Sequence, residues 1–148
     1  MRLNIKNLMV RSELKIEMND LLLARNESEH RTITTRIDSI REEMIALVNL
    51  SRSLYPTGEL TREQLLSIQR RQGGIKRKLA DMKMQKAQIS LELEACQQEK
   101  VELSDKRKSL IRKKDKYSYL HTTERHKKRL KDARIEESET EERISWLR

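Results

Sequence analysis

Eight residues at intervals of seven, Ile68, Ile75, Met82, Ile89, Cys96, Leu103, Leu110 and Tyr117, follow one another without a gap through the second half of the chain. A seven-residue repeat held this long selects a left-handed helical supercoil, because underwinding the helix to about 3.5 residues per turn keeps one edge facing a partner. The companion line, Gln72, Leu79, Lys86, Leu93, Lys100, Arg107 and Lys114, is half basic. Such an edge requires a partner that is thin, offset or acidic rather than a second leucine edge, while the Lys and Arg stems cover apolar surface with their charges in water.

The first half supplies a candidate partner. Ile33, Ile37, Ile40, Met44, Leu47, Ser51 and Leu54 step by four and three, the spacing of a coiled-coil seam. Further upstream the apolar residues available to extend it are Leu14, Met18, Leu21 and Leu22, followed by the nearly wholly polar "ARNESEHRT". The pattern predicts a first helix over about residues 7–53 with a weakly packed middle. Composition agrees: with 39% charged residues, 3% aromatic, no Phe and a mean hydropathy of −0.88, the 148 residues cannot fill a thick globular core. Only three Gly and one Pro, among abundant Leu, Ile, Glu, Lys, Arg and Gln, favour helix over loose coil.

Between the two patterns lies "SLYPTGELTREQLL". Pro56 cannot continue a helix, Gly58 permits positive φ, and Thr61 with Gln64 has the spacing of a capping box that restarts helix just before Leu65 and Leu66. A loop over 54–60 between two long amphipathic helices makes them antiparallel neighbours, so the 33–54 seam is expected against the 61–85 region. The expected fold is all-α: one long antiparallel two-helix coiled-coil hairpin over 1–148, with helix 2 over about 61–142. At about 1.5 Å per residue the second helix outruns the first and must overhang or bend. Gly73-Gly74 is its weak point, where a hinge, or the end of a short helix over 61–72 capping the hairpin, would put a break.

The chemistry-bearing residues do not assemble into a catalytic pattern, and no enzyme activity or cofactor is expected. His121 and His126, five apart in "HTTERH", diverge by about 140° around a helix and do not converge on a metal; they and His30 read as solvated surface. "RRQGGIKRK" lacks the glycine-to-lysine spacing of a phosphate-cradling loop. Cys96, the single cysteine, falls on the strict heptad line, where it reads as a small apolar side chain. One cysteine excludes an internal disulfide framework, and no apolar run reaches the length of a signal-peptide core or a membrane span, so a soluble, cytosolic protein is expected.

Interaction is the remaining function class. Residues 106–134 carry 13 Lys and Arg against three acidic residues, an excess larger than the +9 of the whole chain, and "RIEESETEERISWLR" then reverses the sign with five glutamates. The basic run suits an acidic protein surface or nucleic-acid phosphates. Tyr117, Tyr119 and Trp146 are candidate anchors, with core packing the competing role for Tyr117. A basic nucleic-acid-binding coiled coil and a homodimeric scaffold, in which the loop does not fold back, are the alternatives to a hairpin that binds protein. Against the first, the basic run follows the heptads, whereas a bZIP basic region precedes its zipper.

The layout also resembles a known family. A polar heptad helix, a Pro/Gly loop near one third of the length, "LTREQLLSIQRRQGGIKRKLADMKMQ" and a basic helix with an acidic tail are similar to the central stalk proteins of bacterial type III secretion systems, the SctO family, in particular its InvI-like branch. The best-matching segment runs from Leu60 to about Met84, with "LTRE", "RRQ" and the step Arg77, Lys78, Leu79. The resemblance implies a hairpin like the flagellar FliJ, acting in the cytoplasm at the cytoplasmic face of a virulence-type export apparatus. It implies a terminal end inserted in the pore of a hexameric secretion ATPase and a loop end reaching the export-gate protein, with effector chaperones as further partners. Carried over by segment, the ATPase-contact residues are Leu8, Arg11, Lys15, Arg125, Lys127, Lys128 and Arg129; the export-gate residues are Leu65, Leu66, Ile68, Gln69, Gln72 and Ile75.

Overall fold

The computed structural model describes residues 4–56 and 58–147; Thr57, inside the expected loop, lies outside the described residues. Two helices account for almost all of them: α1, Ile5–Ser53, and α2, Arg62–Trp146. Both run slightly past the limits read from periodicity, since helix ends follow capping and local propensity rather than the seam. The break expected at Gly73-Gly74 does not occur, and α2 passes through both glycines. The long helix on either side, anchored by buried Ile68 and Ile75, outweighs a local cost of about 1 kcal/mol per glycine.

The turn is built as its residues dictate. Thr61 and Gln64 form the reciprocal capping box: the Thr61 amide donates to Gln64 Oε1 at 3.1 Å and the Gln64 amide to Thr61 Oγ1 at 3.3 Å. Gly58 stands at φ 128°, a conformation a side chain would strain. The Tyr55 hydroxyl donates to Gln72 Oε1 at 2.9 Å, tying the loop to the third turn of α2.

Contacts divide the chain into two units, one of residues 23–102 and one of residues 1–22 with 103–148. In the 23–102 unit the helices are antiparallel. Asn26 Nδ2 donates to the Cys96 carbonyl at 2.9 Å, pairing residue numbers that add to 122. The same register sets Ile33, Ile40, Leu47 and Leu54 level with Ile89, Met82, Ile75 and Ile68; all four α2 residues are buried, and the α1 residues are half-buried. The second α1 line, His30, Ile37, Met44 and Ser51, completes the seam, with Ile37 buried. His30 thus occupies a seam position and is half-buried, not solvated as its polarity implied.

The unit of 1–22 and 103–148 repeats the register with different chemistry. Asn19 Nδ2 donates to the Leu103 carbonyl at 3.0 Å, and Ser12 is level with Leu110; Ser12, Asn19 and Leu110 are all buried. This overturns the upstream seam expected from hydrophobicity: Leu14, Met18, Leu21 and Leu22 are 54, 66, 71 and 44% exposed. The heptad phase set by Ile33 and Ile40 is carried upstream through Asn26, Asn19 and Ser12, and a long helix cannot rotate its apolar side chains inward without losing that phase. The basic edge of α2 finds acidic neighbours here, Arg107 to Asp20 at 2.7 Å and Lys114 to Glu13 at 3.6 Å.

A Cβ built on Gly73 or Gly74 meets nothing within 4 Å. The double variant Gly73→Ala/Gly74→Ala is therefore expected to raise stability by about 1–2 kcal/mol through helix propensity alone. Urea unfolding followed by helical circular dichroism checks this, and a lower midpoint would mean that the glycines serve a backbone conformation not seen here.

Candidate functional site: a polar seam and a basic terminal helix

Asn26 and Asn19 are the two most buried polar residues among those described, at 3% and 2% exposure. Each sends its amide across to the opposite helix, and Asn26 Nδ2 also reaches Glu99 Oε2 at 3.4 Å. Cys96 is buried at 5%, and its thiol donates to the Asn26 carbonyl at 3.6 Å. Asparagine and cysteine thus exchange contacts in both directions across the seam. This is a packing role for Cys96, and its sulfur is turned into the protein. Asn19 differs in one respect: its Oδ1 is buried with no hydrogen-bond partner. An apolar seam would be more stable at this point; what a buried amide gives instead is a preferred register and orientation.

The residues expected at an ATPase lie in the unit that contains both chain ends. Leu8 is half-buried, and Arg11, Lys15, Arg125, Lys127, Lys128 and Arg129 are exposed. They do not form one patch. By the register of this unit Leu8 is level with Lys114, about 16 Å of helix before Arg125. All described residues from Glu124 to Leu147 are exposed, so the basic run and the acidic tail occupy a stretch of α2 that is covered by none of the described residues. His121, expected on the surface with His126, continues the second seam line seven residues after Lys114 and is half-buried; His126 is exposed.

The export-gate set divides. Leu65 and Leu66 are 42% and 45% exposed and Gln69 is exposed, while Ile68 and Ile75 are buried at 9% and 8% and face α1. Ile68 and Ile75 therefore close the hairpin tip and are not available to a partner, as their place on the strict heptad line already required. Gln72 is half-buried and engaged by Tyr55. Of the candidate aromatic anchors, Tyr117 is half-buried in the seam, whereas Tyr119 and Trp146 are 72% and 88% exposed.

Sequence reasoning missed Ser12, Asn19 and Asn26. Their signal was available: they lie 21, 14 and seven residues before Ile33, on its heptad line. Hydrophobicity hid them; spacing alone finds them.

Among the described residues no helix is long and apolar enough to cross a membrane. A family model described as Salmonella surface presentation of antigen gene type M protein, SPAM, matches residues 3–144, taking in both helices and the turn. No curated protein and no solved structure matches the chain.

Replacing Asn19 by Leu removes a buried, unpaired oxygen and gives Leu103 an apolar neighbour. Asn19→Leu is expected to stabilise the hairpin by about 1–2 kcal/mol, read from the urea midpoint. A destabilised variant would show that the amide contributes more than the desolvation it costs.

Proposed function

The chain belongs to the SPAM family of type III secretion proteins, and from that membership we propose that it is the non-enzymatic central stalk of a secretion ATPase complex. The observation that carries this reading is the extent of the match: residues 3–144 include the whole paired seam, the turn and most of the unpaired helix, rather than one heptad stretch. On this reading the protein acts at the cytoplasmic face of a bacterial export apparatus, between a hexameric ATPase and the export gate.

The physics of the role fits the surfaces described above. A stalk must close its own hydrophobic seam, so that it enters a ring as one asymmetric body and does not polymerise through its heptads. The Asn19 and Asn26 layers and the capped turn achieve that closure within one chain. It must then present unequal surfaces to chemically equal subunits, so that one subunit state binds better than its neighbours. Arg11, Lys15 and the exposed run Arg125, Lys127, Lys128 and Arg129 supply that inequality through charge, with acidic pore groups as the complement. Leu8 adds a half-buried apolar contact. At the turn, the exposed Leu65, Leu66 and Gln69, steadied by the Tyr55–Gln72 hydrogen bond, form the gate-facing surface.

The test is charge reversal. Lys127→Glu/Lys128→Glu/Arg129→Glu is expected to weaken binding to a hexameric type III secretion ATPase by about tenfold or more and to flatten its salt dependence, with helicity retained. Unchanged affinity and unchanged salt sensitivity in a folded variant would remove the basic run from the interface.

A further inference from the structure

The unit holding the chain ends contains a groove of about 390 Å³ between α1 and α2, floored by Met18, Leu22 and Leu110 and rimmed by Lys15, Lys106 and Lys113. Every charged residue that lines it is a lysine. Among the described residues the interhelix ion pairs of this unit use Glu13, Asp20, Arg107 and Lys114, leaving these three ammonium groups without a carboxylate. Asn19 also lines the groove, and it is the residue whose Oδ1 has no partner. The apolar floor continues onto exposed Leu14 and Leu21 of α1, at 54% and 71% exposure, so the cationic rim borders a larger uncovered apolar surface.

The complement to this groove is present in the same chain. In the acidic end of α2, Ile135, Glu139, Glu142 and Trp146 recur at intervals of four, three and four, which stacks them on one helix face. Ile135 and Trp146 are 47% and 88% exposed, and Glu139 and Glu142 are exposed between them. That face offers two carboxylates framed by two apolar side chains, the inverse of lysines framing an apolar floor. It cannot reach its own groove while α2 stays continuous, because residues 113 and 135 of the one helix are about 33 Å apart.

We propose that the Ile135–Trp146 face of one copy docks in the Lys15–Lys106–Lys113 groove of a second copy, so that this protein forms a reciprocal homodimer when it is not engaged elsewhere. Each chain carries both halves of the contact, so the exchange closes at two copies. Trp146 covers Met18 and Leu22, and Glu139 and Glu142 lie against the lysines. The stalk reading adds one consequence that the self-association does not need: Lys15 is covered in the dimer, so dimer and ATPase complex exclude each other.

The full-length protein tests this directly, because Trp146 is its single tryptophan. Light scattering across a dilution series is expected to show a mass twice 17.7 kDa at high concentration, with Trp146 emission shifting to the blue as the dimer forms and returning in high salt. Glu139→Lys/Glu142→Lys and Lys106→Glu/Lys113→Glu are each expected to raise the dissociation constant by about tenfold or more. All four positions are exposed, so both variants keep the fold. Mixing the two variants restores both exchanges, one with the original charges and one with them swapped, and recovers the mass and the blue shift. Three results would overturn the proposal: a single-chain mass with unshifted emission at every concentration, a dimer indifferent to both reversals, or a mixture that stays monomeric. Absence of ATPase binding by the unaltered protein, with these readouts as expected, would count against the stalk reading and leave the dimer standing.

Discussion

The hairpin depends on a small number of amide groups placed where a coiled coil ordinarily has leucine. Asn19 and Asn26 each donate across the seam to a carbonyl of α2, and both bonds specify the same register. A heptad edge of Ile, Met and Leu can slide by seven residues and bury nearly the same surface. Slippage by one heptad here would carry each asparagine to a new level along α2 and break the reciprocal contact between Asn26 and Cys96. The register is held by the least hydrophobic part of the interface.

That placement explains the surface as well as the core. With the phase of α1 committed to Ser12, Asn19 and Asn26, the neighbouring Leu14, Met18 and Leu21 must face outward. A sequence with leucine in the seam and polar residues outside would be more stable and would present a blander surface. This chain instead buries Ser12 and Asn19 beside half-buried Met9 and Ile16, and leaves Val10, Leu14 and Met18 outside. The arrangement costs stability within the chain and provides material for contacts beyond it, the pattern expected of a protein whose work is binding.

Most of the architecture was legible in the residues. The eight-member line from Ile68 to Tyr117, the step pattern after Ile33, and Pro56, Gly58, Thr61 and Gln64 between them specify two helices and a turn, because each states a local rule with one geometric solution. The α1 seam upstream of Ile33 was not legible by the same means: hydrophobicity is a proxy for burial, and at Asn19 and Asn26 phase overrides it. Gly73-Gly74 misled for the opposite reason, since a local propensity penalty is small beside a helix already fixed on both sides. The candidate contacts were legible as residue types and not as surfaces. Spacing places Ile68 and Ile75 in the seam, yet their position near the turn made them look available to a partner.

The unequal seam also sets an order of events. Tyr55 and Gln72 meet across 17 residues of chain, whereas Asn19 and Leu103 must close 84. The short closure is the cheaper in chain entropy, and it lies next to the pairs richest in isoleucine. Folding is therefore expected to nucleate at the turn and zip toward the termini, and heating to reverse the sequence, with the ends of α1 and α2 parting while the turn stays shut. A protein built this way can lend its open end to another surface without surrendering the hairpin itself.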